Sequence, residues 1–367
     1  MSSALFVLLL AVANAVSPTG APPGDGPGGA LLAEANAAVA GAADRAARDP
    51  LRPVYHVTAA ARFINDPNGP VCFRGEYHVF FQHLPYWGER QDWTRPVWGH
   101  AASSDMVHWR HLPVALVPGP NSYDADAVAS GCCVIDNDTP TILYTGVGNG
   151  RQTQCVATSD DNLRTWHKCP ANPVIADRPP LEGLEDGFRD PCAWREGNEW
   201  RLLAGSGFKD RGGTVLLYRS TDLRRWDFLG PLCSGMGRHC FQWECPSFFP
   251  LGGRHVLIVS PLYRDAPGLR GMVEYAVGGY RDNRFEPGAW HPVDLGGPTV
   301  YYAPNSFADD GGRRILWGWI MADRPAAAGW CHCLSLPRVL TLAADGTLRY
   351  APAPELAALR RNGRVRE

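Results

Sequence analysis

The sequence predicts an all-β fold, a five-bladed β-propeller. Three observations carry this prediction: a turn-rich composition with 40 Gly and 32 Pro in 367 residues, and two series of short stretches that recur with a common period. Glycine and proline at this level favour short strands joined by tight turns over long helices. Hydrophobic residues make up 45% of the chain and aromatic residues 10%, which is enough to fill a sizeable core.

The first series consists of apolar stretches with the character of buried strands. Their first residues are Tyr77, Thr141, Trp200, His255 and Arg314, which lie 64, 59, 55 and 59 positions apart. The stretches of the second series end at Trp109, Trp166, Trp226 and Trp290, in steps of 57, 60 and 64. A repeat of this length fits one four-stranded propeller blade, and such blades close in a ring around a central channel. A β-sandwich imposes no such period, so the repeat favours the propeller.

The propeller is expected over residues 51–350, with other kinds of segment on either side. Residues 1–15 (MSSALFVLLLAVANA) resemble a signal peptide, which predicts a secreted protein, extracellular or vacuolar. Their apolar run is too short to span a bilayer. Residues 16–50 are rich in Pro, Gly and Ala and are expected to be a disordered linker, with some helix in the alanine-rich part. Residues 351–367 are expected to begin a second linker.

Charge and cysteine usage exclude several classes of function. The net charge is −2 and the pI about 6.6, so no basic field indicates nucleic acid or an anionic membrane as a partner. The eleven cysteines show no paired C-x-x-C spacing, which argues against a zinc site. The sequence leaves disulfide pairing and oligomeric state open.

The repeat also predicts which residue of each blade faces the channel. Counting back about eleven residues from each apolar stretch, or ten in the third blade, reaches the innermost strand. The positions reached are Asp66, Ser130, Asp190, Glu244 and Ala303. Three of these are carboxylates that should converge on one axis. Glu244, in the apolar run FQWECPSFFPL, is therefore expected to face a central pocket rather than the core between blades.

Converging carboxylates are what the hydrolysis of a glycosidic bond requires, since one must stay ionised while the other donates a proton. Asp66 has asparagine neighbours, a polar setting that is expected to keep it ionised. Glu244 lies among Trp243 and other aromatic residues, which is expected to favour its protonated form. Asp190 is adjacent to Arg189 and is expected to be held ionised. Asp66 is then the candidate nucleophile and Glu244 the candidate acid/base.

Each carboxylate also has a purely structural interpretation. Asp66 lies in Asp-Pro-Asn-Gly, a common turn sequence, and Asp190 could form a local salt bridge with Arg189. Three carboxylates can also bind a metal, but hard cations need several oxygen ligands close together. The three lie on strands of different blades, so no metal site is predicted. Their common phase in the repeat favours the catalytic interpretation.

The motifs around the carboxylates resemble those of glycoside hydrolase family 32, the invertase and fructan-hydrolase family. Residues 63–69 (FINDPNG) are similar to the family motif W-M-N-D-P-N-G. Residues 189–191 match R-D-P and residues 244–246 match E-C-P. Further matches include Trp317-Gly318-Trp319, and the motifs follow the family order from about residue 55 onward.

The resemblance implies a retaining β-fructofuranosidase that hydrolyses sucrose or small fructans without a cofactor. Asp66 would attack the anomeric carbon, Glu244 would be the acid/base, and Asp190 would stabilise the oxocarbenium-like transition state. Cys245 would tune the neighbouring carboxyl group. The residues implied to line the fructose subsite are Asn65, Gln82, Trp98, Ser130 and Arg189.

The chain departs from the family pattern in several respects. Phe63 and Ile64 replace a Trp-Met pair beside the nucleophile motif, which is expected to reshape the pocket wall. The C-terminal β-sandwich usual in the family is expected to be missing, leaving apolar propeller surface exposed. Two alternative functions stay open: a fructosyltransferase that uses the same intermediate, decided by loops such as residues 85–100, and an inactive, truncated sugar-binding relative.

Overall fold

The structure, a computed structural model, describes residues 27–89, 95–265 and 269–360. The signal peptide expected at residues 1–15, the start of the expected linker and residues 361–367 lie outside the described residues. Within these ranges the chain forms five mainly antiparallel sheets arranged as the blades of a propeller. The predicted all-β class and five-bladed architecture are confirmed. None of the helices in these ranges has the length and apolar character needed to cross a membrane.

The strands of each blade follow one another in chain order. Blade 1 contains β1 (Arg62–Phe73), β2 (Glu76–Leu84), β3 (Val97–Ser103) and β4 (Arg110–Leu116). Blade 2 contains β5 (Ala127–Asp136), β6 (Thr139–Gly148), β7 (Arg151–Thr158) and β8 (His167–Lys168). Blade 3 contains β9 (Arg189–Glu196), β10 (Glu199–Phe208), β11 (Gly212–Ser220) and β12 (Asp227–Met236).

The last two blades complete the ring. Blade 4 contains β13 (Cys240–Leu251), β14 (Arg254–Tyr263), β15 (Glu274–Arg281) and β16 (Arg284–Pro292). Blade 5 begins with β17 (Tyr301–Ala308) and β18 (Arg314–Ile320). The short β19 (Trp330–Cys331) and β20 (Cys333–Leu334) follow, and then β21 (Arg338–Leu342) and β22 (Leu348–Pro352). Two 3-10 helices, Ala326–Ala328 and Pro354–Leu359, lie in the C-terminal part of the described chain.

The five apolar stretches found in the sequence are β2, β6, β10, β14 and β18, the second strand of each blade. They read as continuous apolar runs because both faces of these strands are covered by neighbouring blades. The largest fully buried side chains are Trp98, Trp243 and Trp317, which lie in three different interblade clusters. Tryptophan supplies the largest apolar area of any side chain, so a few such residues fill much of each wedge between blades.

Strand β19 joins blade 5 to blade 1 and so closes the ring. It pairs in parallel with the start of β1, with Arg62 opposite Trp330 and Phe63 opposite Cys331. The backbone N–H of Arg62 also donates to the carbonyl oxygen of Gly329 at 2.7 Å. Backbone hydrogen bonds therefore connect the last blade to the first at the end of β1 that leads into the carboxylate motif.

Within the linker expected at 16–50, residues 27–48 form a helix, α1 (Pro27–Arg48), which covers the alanine-rich part where some helix was expected and extends over 22 residues. Ala35, Ala42 and Ala46 lie on one face of the helix and are at most 1% exposed. Alanine has the highest helix propensity, and its small side chain lets a helix pack closely on a neighbouring element. A low-complexity composition here encodes an amphipathic helix rather than a disordered segment.

A β-bulge interrupts the innermost strand of blades 3, 4 and 5 at one equivalent place. The last residues before the bulge are Arg189, Glu244 and Tyr302. The next residues, Asp190, Cys245 and Ala303, have positive φ angles of 61°, 46° and 48°. A regular strand points successive side chains to opposite faces, whereas a bulge can turn two of them the same way. Glu244 is therefore the equivalent of Arg189 and not, as the repeat count predicts, of Asp190.

The residues of interest lie at one end of the channel, where the innermost strands begin. Asp190 and Tyr302 are the second residues of β9 and β17, and Asp66 and Glu244 are the fifth residues of β1 and β13. At this end Phe63 pairs with Leu84, and the chain then continues into the loop between β2 and β3. The loops after β14 and β18 leave from the same end of their blades. Three long loops therefore surround this end of the channel.

Candidate active site

A first row of hydrogen-bonded side chains comes from blades 3, 4 and 5. It lies at the end of the channel where the innermost strands begin. Arg189 donates from Nη2 and Nε to Oε1 of Glu244, at 2.7 and 2.9 Å. Tyr302 donates from its hydroxyl to Oε2 of Glu244 at 2.9 Å. Both oxygens of Glu244 thus have a donor from a neighbouring blade. The Glu244 side chain remains 20% exposed and that of Arg189 13%, so the row borders solvent.

A second row of side chains joins blades 1, 2, 3 and 4. Ser130 donates from Oγ to Oδ2 of Asp66 at 2.7 Å. Asp190 accepts the backbone N–H of Cys245 at Oδ2, at 2.9 Å. The Sγ atom of Cys245 lies 3.6 Å from Oδ2 of Asp66 and 3.6 Å from Oδ2 of Asp190. Asn65 completes the row, with Nδ2 at 3.0 Å from Oδ1 of Asp66.

Burial acts against ionisation of the second row. Burial raises the pKa of Asp66, although the hydrogen bond from Ser130 partly opposes it. Burial likewise raises the pKa of Asp190, with the charge of Arg189 opposing it. Burial, with the negative charges of both aspartates, raises the pKa of Cys245, so its thiol stays protonated and can donate to either carboxylate. Burial therefore opposes the ionised form expected of Asp66 and Asp190, while Ser130 and Arg189 favour it.

The surroundings of Glu244 also differ from those expected. Its aromatic neighbours in sequence point away from it: Trp243 lies in the core between blades 3 and 4, and Phe248 belongs to the same cluster. The carboxylate itself meets Arg189 and Tyr302. Alternation along the strand explains the error for Trp243, because adjacent residues have different surroundings, and the bulge after Glu244 explains it for Phe248. Arg189 makes its short hydrogen bonds to Glu244, while the expected pairing with Asp190 is a longer contact, with Nε 4.0 Å from Oδ2.

The residues expected to line a fructose subsite divide into two groups. Ser130, Asn65 and Arg189 contact the carboxylates directly, as described above. Gln82 donates from Nε2 to the carbonyl oxygen of Val128 at 2.8 Å and is 5% exposed. Trp98 is fully buried.

The position expected for Trp98 in the pocket wall is not the one it occupies. Its Nε1–H donates to the carbonyl oxygen of Ala129 at 2.9 Å, and its ring packs on Phe80 with centroids 5.8 Å apart. Trp98 has no exposed surface and its only hydrogen-bond donor is already used, so its side chain does not contact a sugar. Its hydrogen bond instead fixes the backbone next to Ser130, so Trp98 supports the site from behind.

Sequence reasoning missed Tyr302, whose hydroxyl binds Glu244. The repeat count reached the next residue, Ala303, which offers no chemistry. The signal lay one position upstream: in three blades the residue just before the bulge is polar and faces the channel. A bulge cannot be located from an apolar pattern, so this register was not available from the sequence.

Aromatic side chains form one wall beside the second row. The ring of Phe63 lies 6.4 Å from that of Trp319 and 4.5 Å from that of His332, between centroids. The half-buried Trp87 approaches Phe63 at 6.1 Å. Phe63 stands three residues before Asp66 in β1, so this wall adjoins the carboxylates.

Arg270 brings a positive charge to the same wall. Its guanidinium carbon lies 5.3 Å from the ring centroid of Tyr302 and 4.9 Å from that of Trp319, a cation–π arrangement with both. Its charge reaches Asp66, where it favours the ionised carboxylate and so lowers the pKa. Arg270 was not singled out by the sequence, because an arginine in a loop has no position in the repeat.

One cluster in the described ranges has side chains close enough together for a metal ion: Asp323, Cys331 and His332. Nδ1 of His332 accepts the backbone N–H of Ala322 at 2.9 Å, so a neutral ring carries its proton on Nε2, the atom that faces Asp323. Burial raises the pKa of Cys331 to about 11, which disfavours the thiolate a metal needs. These groups therefore do not fit a metal ion.

The fold and the two rows together define a class of protein. The channel ends in paired carboxylates, an arginine and a tyrosine beside an aromatic wall. These groups can bind a sugar ring and give a proton from a carboxyl group to the oxygen that leaves it. The class is that of carboxylate-dependent, sugar-cleaving propellers.

Comparison with known proteins identifies the family. Residues 56–352 match the family model described as the glycosyl hydrolases family 32 N-terminal domain. The chain belongs to glycosyl hydrolase family 32, as the sequence motifs predicted.

Individual relatives support this family assignment. The chain is 36% identical over 335 residues to a sucrose-6-phosphate hydrolase of Escherichia coli, covering 84% of this chain and 66% of that protein. It is 37% identical over 333 residues to a raffinose invertase of Escherichia coli, with the same coverage. Among solved structures, a beta-fructofuranosidase of Bombyx mori superposes with a TM-score of 0.79 at 29% identity, covering 91% of this chain and 72% of that one. The chain thus spans about two thirds of the length of the two curated relatives.

Proposed function

We propose that the chain carries the catalytic site of a retaining β-fructofuranosidase that acts on sucrose or small fructans. One observation carries this proposal: Asp66 and Glu244 come from non-adjacent blades and meet at the same end of the channel, linked through Cys245. The names of the relatives support the substrate class, since they are sucrose-6-phosphate hydrolases, an invertase and a beta-fructofuranosidase.

In the first step of the proposed reaction, Asp66 forms a bond to the anomeric carbon of the fructosyl unit as the bond from that carbon to the glycosidic oxygen breaks. Glu244 gives its proton to the departing oxygen, so the leaving group departs as an alcohol. The pair Arg189 and Tyr302 holds the carboxylate that results, because both donate to it. Asp190 contributes negative charge beside the electron-poor ring of the transition state.

In the second step, a water molecule attacks the same carbon from the side the leaving group vacated. Glu244 takes the proton of this water, and the bond to Asp66 breaks, which releases fructose with retained configuration. Ser130 and Asn65 then stabilise the released carboxylate of Asp66, since both donate to it. A sugar hydroxyl in place of water gives the transferase reaction, the alternative that remains.

Arg270 favours a second candidate substrate, a sucrose that carries a phosphate on the leaving group. Its guanidinium lies on the ring of Tyr302, whose hydroxyl binds Glu244. The leaving group departs toward Glu244, so a cation at this place is suited to an anion on that sugar. Of the two Escherichia coli relatives that match over 84% of the chain, one is a sucrose-6-phosphate hydrolase.

The experiment that tests the proposal measures free fructose and glucose released from sucrose, sucrose 6-phosphate and a small fructan by the purified chain. The parent is compared with Asp66→Asn and with Asp310→Asn, an exposed aspartate of the turn between β17 and β18. We expect release by the parent and by Asp310→Asn, and a loss of at least about 1,000-fold in Asp66→Asn because the nucleophile is absent. A folded parent that releases no fructose would overturn the proposal, and sugar transfer in place of release would favour the transferase.

A further inference from the structure

Helix α1 packs against loops that border the end of the channel where the carboxylates lie. Two segments are concerned, residues 85–89 after β2 and residues 321–329 after β18, here called the rim loops. The helix packs on Ala328 and Trp330 through Ala42 and Ala46, all at most 8% exposed. Neither the sequence motifs nor the comparisons assign any role to this helix.

Arg62 connects the helix to the first rim loop. It stands at the start of β1 and its side chain is 3% exposed. Nε and Nη2 donate to the carbonyl oxygen of Ala38 in α1 at 3.3 and 3.2 Å, and Nη1 donates to the carbonyl oxygen of Trp87 at 3.0 Å. Nη2 also pairs with Glu89. One buried guanidinium thus ties the helix backbone to the loop that carries Trp87.

The second rim loop meets the helix in two further places. Asp49, just after α1, accepts a hydrogen bond from Nη2 of Arg324 at 2.9 Å. Gly329 has φ of +82°, and a Cβ there would lie only 3.0 Å from the backbone nitrogen of Ala46. The loop therefore approaches the helix so closely that a side chain at Gly329 would push the two apart.

The two rim loops also touch each other. Gly88 has φ of +85°, and a Cβ at this position would lie 2.9 Å from Cβ of Ala326. Helix, second loop and first loop thus form one packed layer in which a shift of the helix would move both loops. Through such contiguous packing, a shift of one element displaces the next even where the two do not belong to one sheet.

The rim loops end at the groups beside the carboxylates. Trp87 packs on Phe63, which precedes Asp66 by three residues. At the other loop, Sδ of Met321 lies 3.8 Å from Nη1 of Arg270. Since the fructosyl unit must reach Asp66 and Glu244, the sugar that leaves must lie outward of them, on the side of these loops.

We propose that α1, acting through Arg62 and Asp49, positions the rim loops for binding of the leaving-group sugar. Arg62 and Asp49 are then positioning residues, and the N-terminal helix is part of the substrate-binding apparatus. The inference rests on the proposed function for the identity of the leaving group. The ion pair of Arg62 with Glu89 contributes little to stability, because the Glu89 side chain is 56% exposed. An arginine whose donors reach two separate backbone carbonyls instead fixes the distance between them.

The test uses the full chain with Arg62→Met, which keeps the length of the side chain but removes its donors, and Asp49→Asn as a milder change should the first variant fold poorly. We expect KM for sucrose to rise about five- to tenfold while kcat stays within about twofold, because the carboxylates themselves are untouched. Amide hydrogen exchange of residues 85–89 should become faster in Arg62→Met.

The matched control is Arg201→Met, an arginine of blade 3 that is 9% exposed and pairs with Glu196 and Glu199. Equal KM values for Arg62→Met and the parent would overturn the inference, as would the same KM change in Arg201→Met. Hydrogen exchange separates this failure from failure of the proposed function. If the parent releases no fructose, faster exchange in residues 85–89 still supports positioning by the helix, and unchanged exchange overturns it.

Discussion

The hydroxyl of Tyr302 lies 2.9 Å from Oε2 of Glu244, whose other oxygen binds Arg189. A hydrogen bond to a charged group contributes about 1.5–3 kcal/mol. Replacing Tyr302 by Phe should therefore lower kcat/KM for sucrose by about 10- to 100-fold. Steady-state kinetics measure this. The control is Tyr301→Phe, because Tyr301 is equally buried and its hydroxyl has no hydrogen-bond partner within the described ranges. Equal losses in both variants would contradict the role of Tyr302.

Ser130 gives a prediction on pH dependence. Burial already raises the pKa of Asp66, and the Ser130 hydroxyl, 2.7 Å away, acts in the opposite direction. Ser130→Ala removes this donor, so the pKa of Asp66 should rise further. The nucleophile must be ionised, and the acidic limb of the kcat/KM profile should therefore move to higher pH. Ser130→Thr keeps a hydroxyl and should restore the limb. A profile that stays in place in Ser130→Ala would show that the limb belongs to another group.

The sequence predicted the fold because a propeller repeats one unit, so the buried apolar strands of successive blades recur at a nearly constant spacing along the chain. The same repeat drew attention to the three carboxylates, although the bulges place Glu244 at the position equivalent to Arg189 and not to Asp190. It failed where a contact depends on local backbone geometry. The bulges that make Glu244 equivalent to Arg189, and not to Asp190, change the register by one residue and leave no mark in an apolar pattern.

Two other failures have different causes. Trp98 belongs to a motif shared with the family, but a motif does not say whether a residue faces the ligand or supports the strand behind it. Some helix was expected in the alanine-rich part of residues 16–50, but its packing on the propeller was not, because alanine-rich segments carry few strongly apolar residues. Its order comes from contacts with propeller residues such as Val114 and Trp330, which are distant in sequence.

Arg270 gives a prediction on substrate choice. Its guanidinium lies on the rings of Tyr302 and Trp319, beside the group proposed to protonate the leaving sugar. Arg270→Gln should lower kcat/KM for sucrose 6-phosphate by about tenfold or more, and that for sucrose by much less, because only the phosphate needs a cation. Competition assays with both substrates measure the ratio. Arg264→Gln, which removes an exposed cation that pairs with Glu185, is the control. An unchanged ratio in Arg270→Gln would exclude Arg270 as the phosphate-binding group.

Asp190 gives a prediction on stability. Its pKa is raised in the folded protein by burial, so between the ordinary carboxyl pKa, about 4, and this raised value the folded state holds a proton that the unfolded state lacks. Stability contributed by this group therefore falls as pH rises through that window. Asp190→Asn cannot ionise, and its Tm should exceed that of the parent at pH 8, by about 2 °C or more, but not at pH 4.

Asp124→Asn is the matched control, because Asp124 is also buried but pairs with Lys168 at 2.6 Å. That variant should lower Tm by leaving the lysine without its partner. Thermal unfolding of the parent and both variants at the two pH values tests the prediction. A lower Tm for Asp190→Asn than for the parent at pH 8 would contradict it and would mean that the ionised carboxylate stabilises the site.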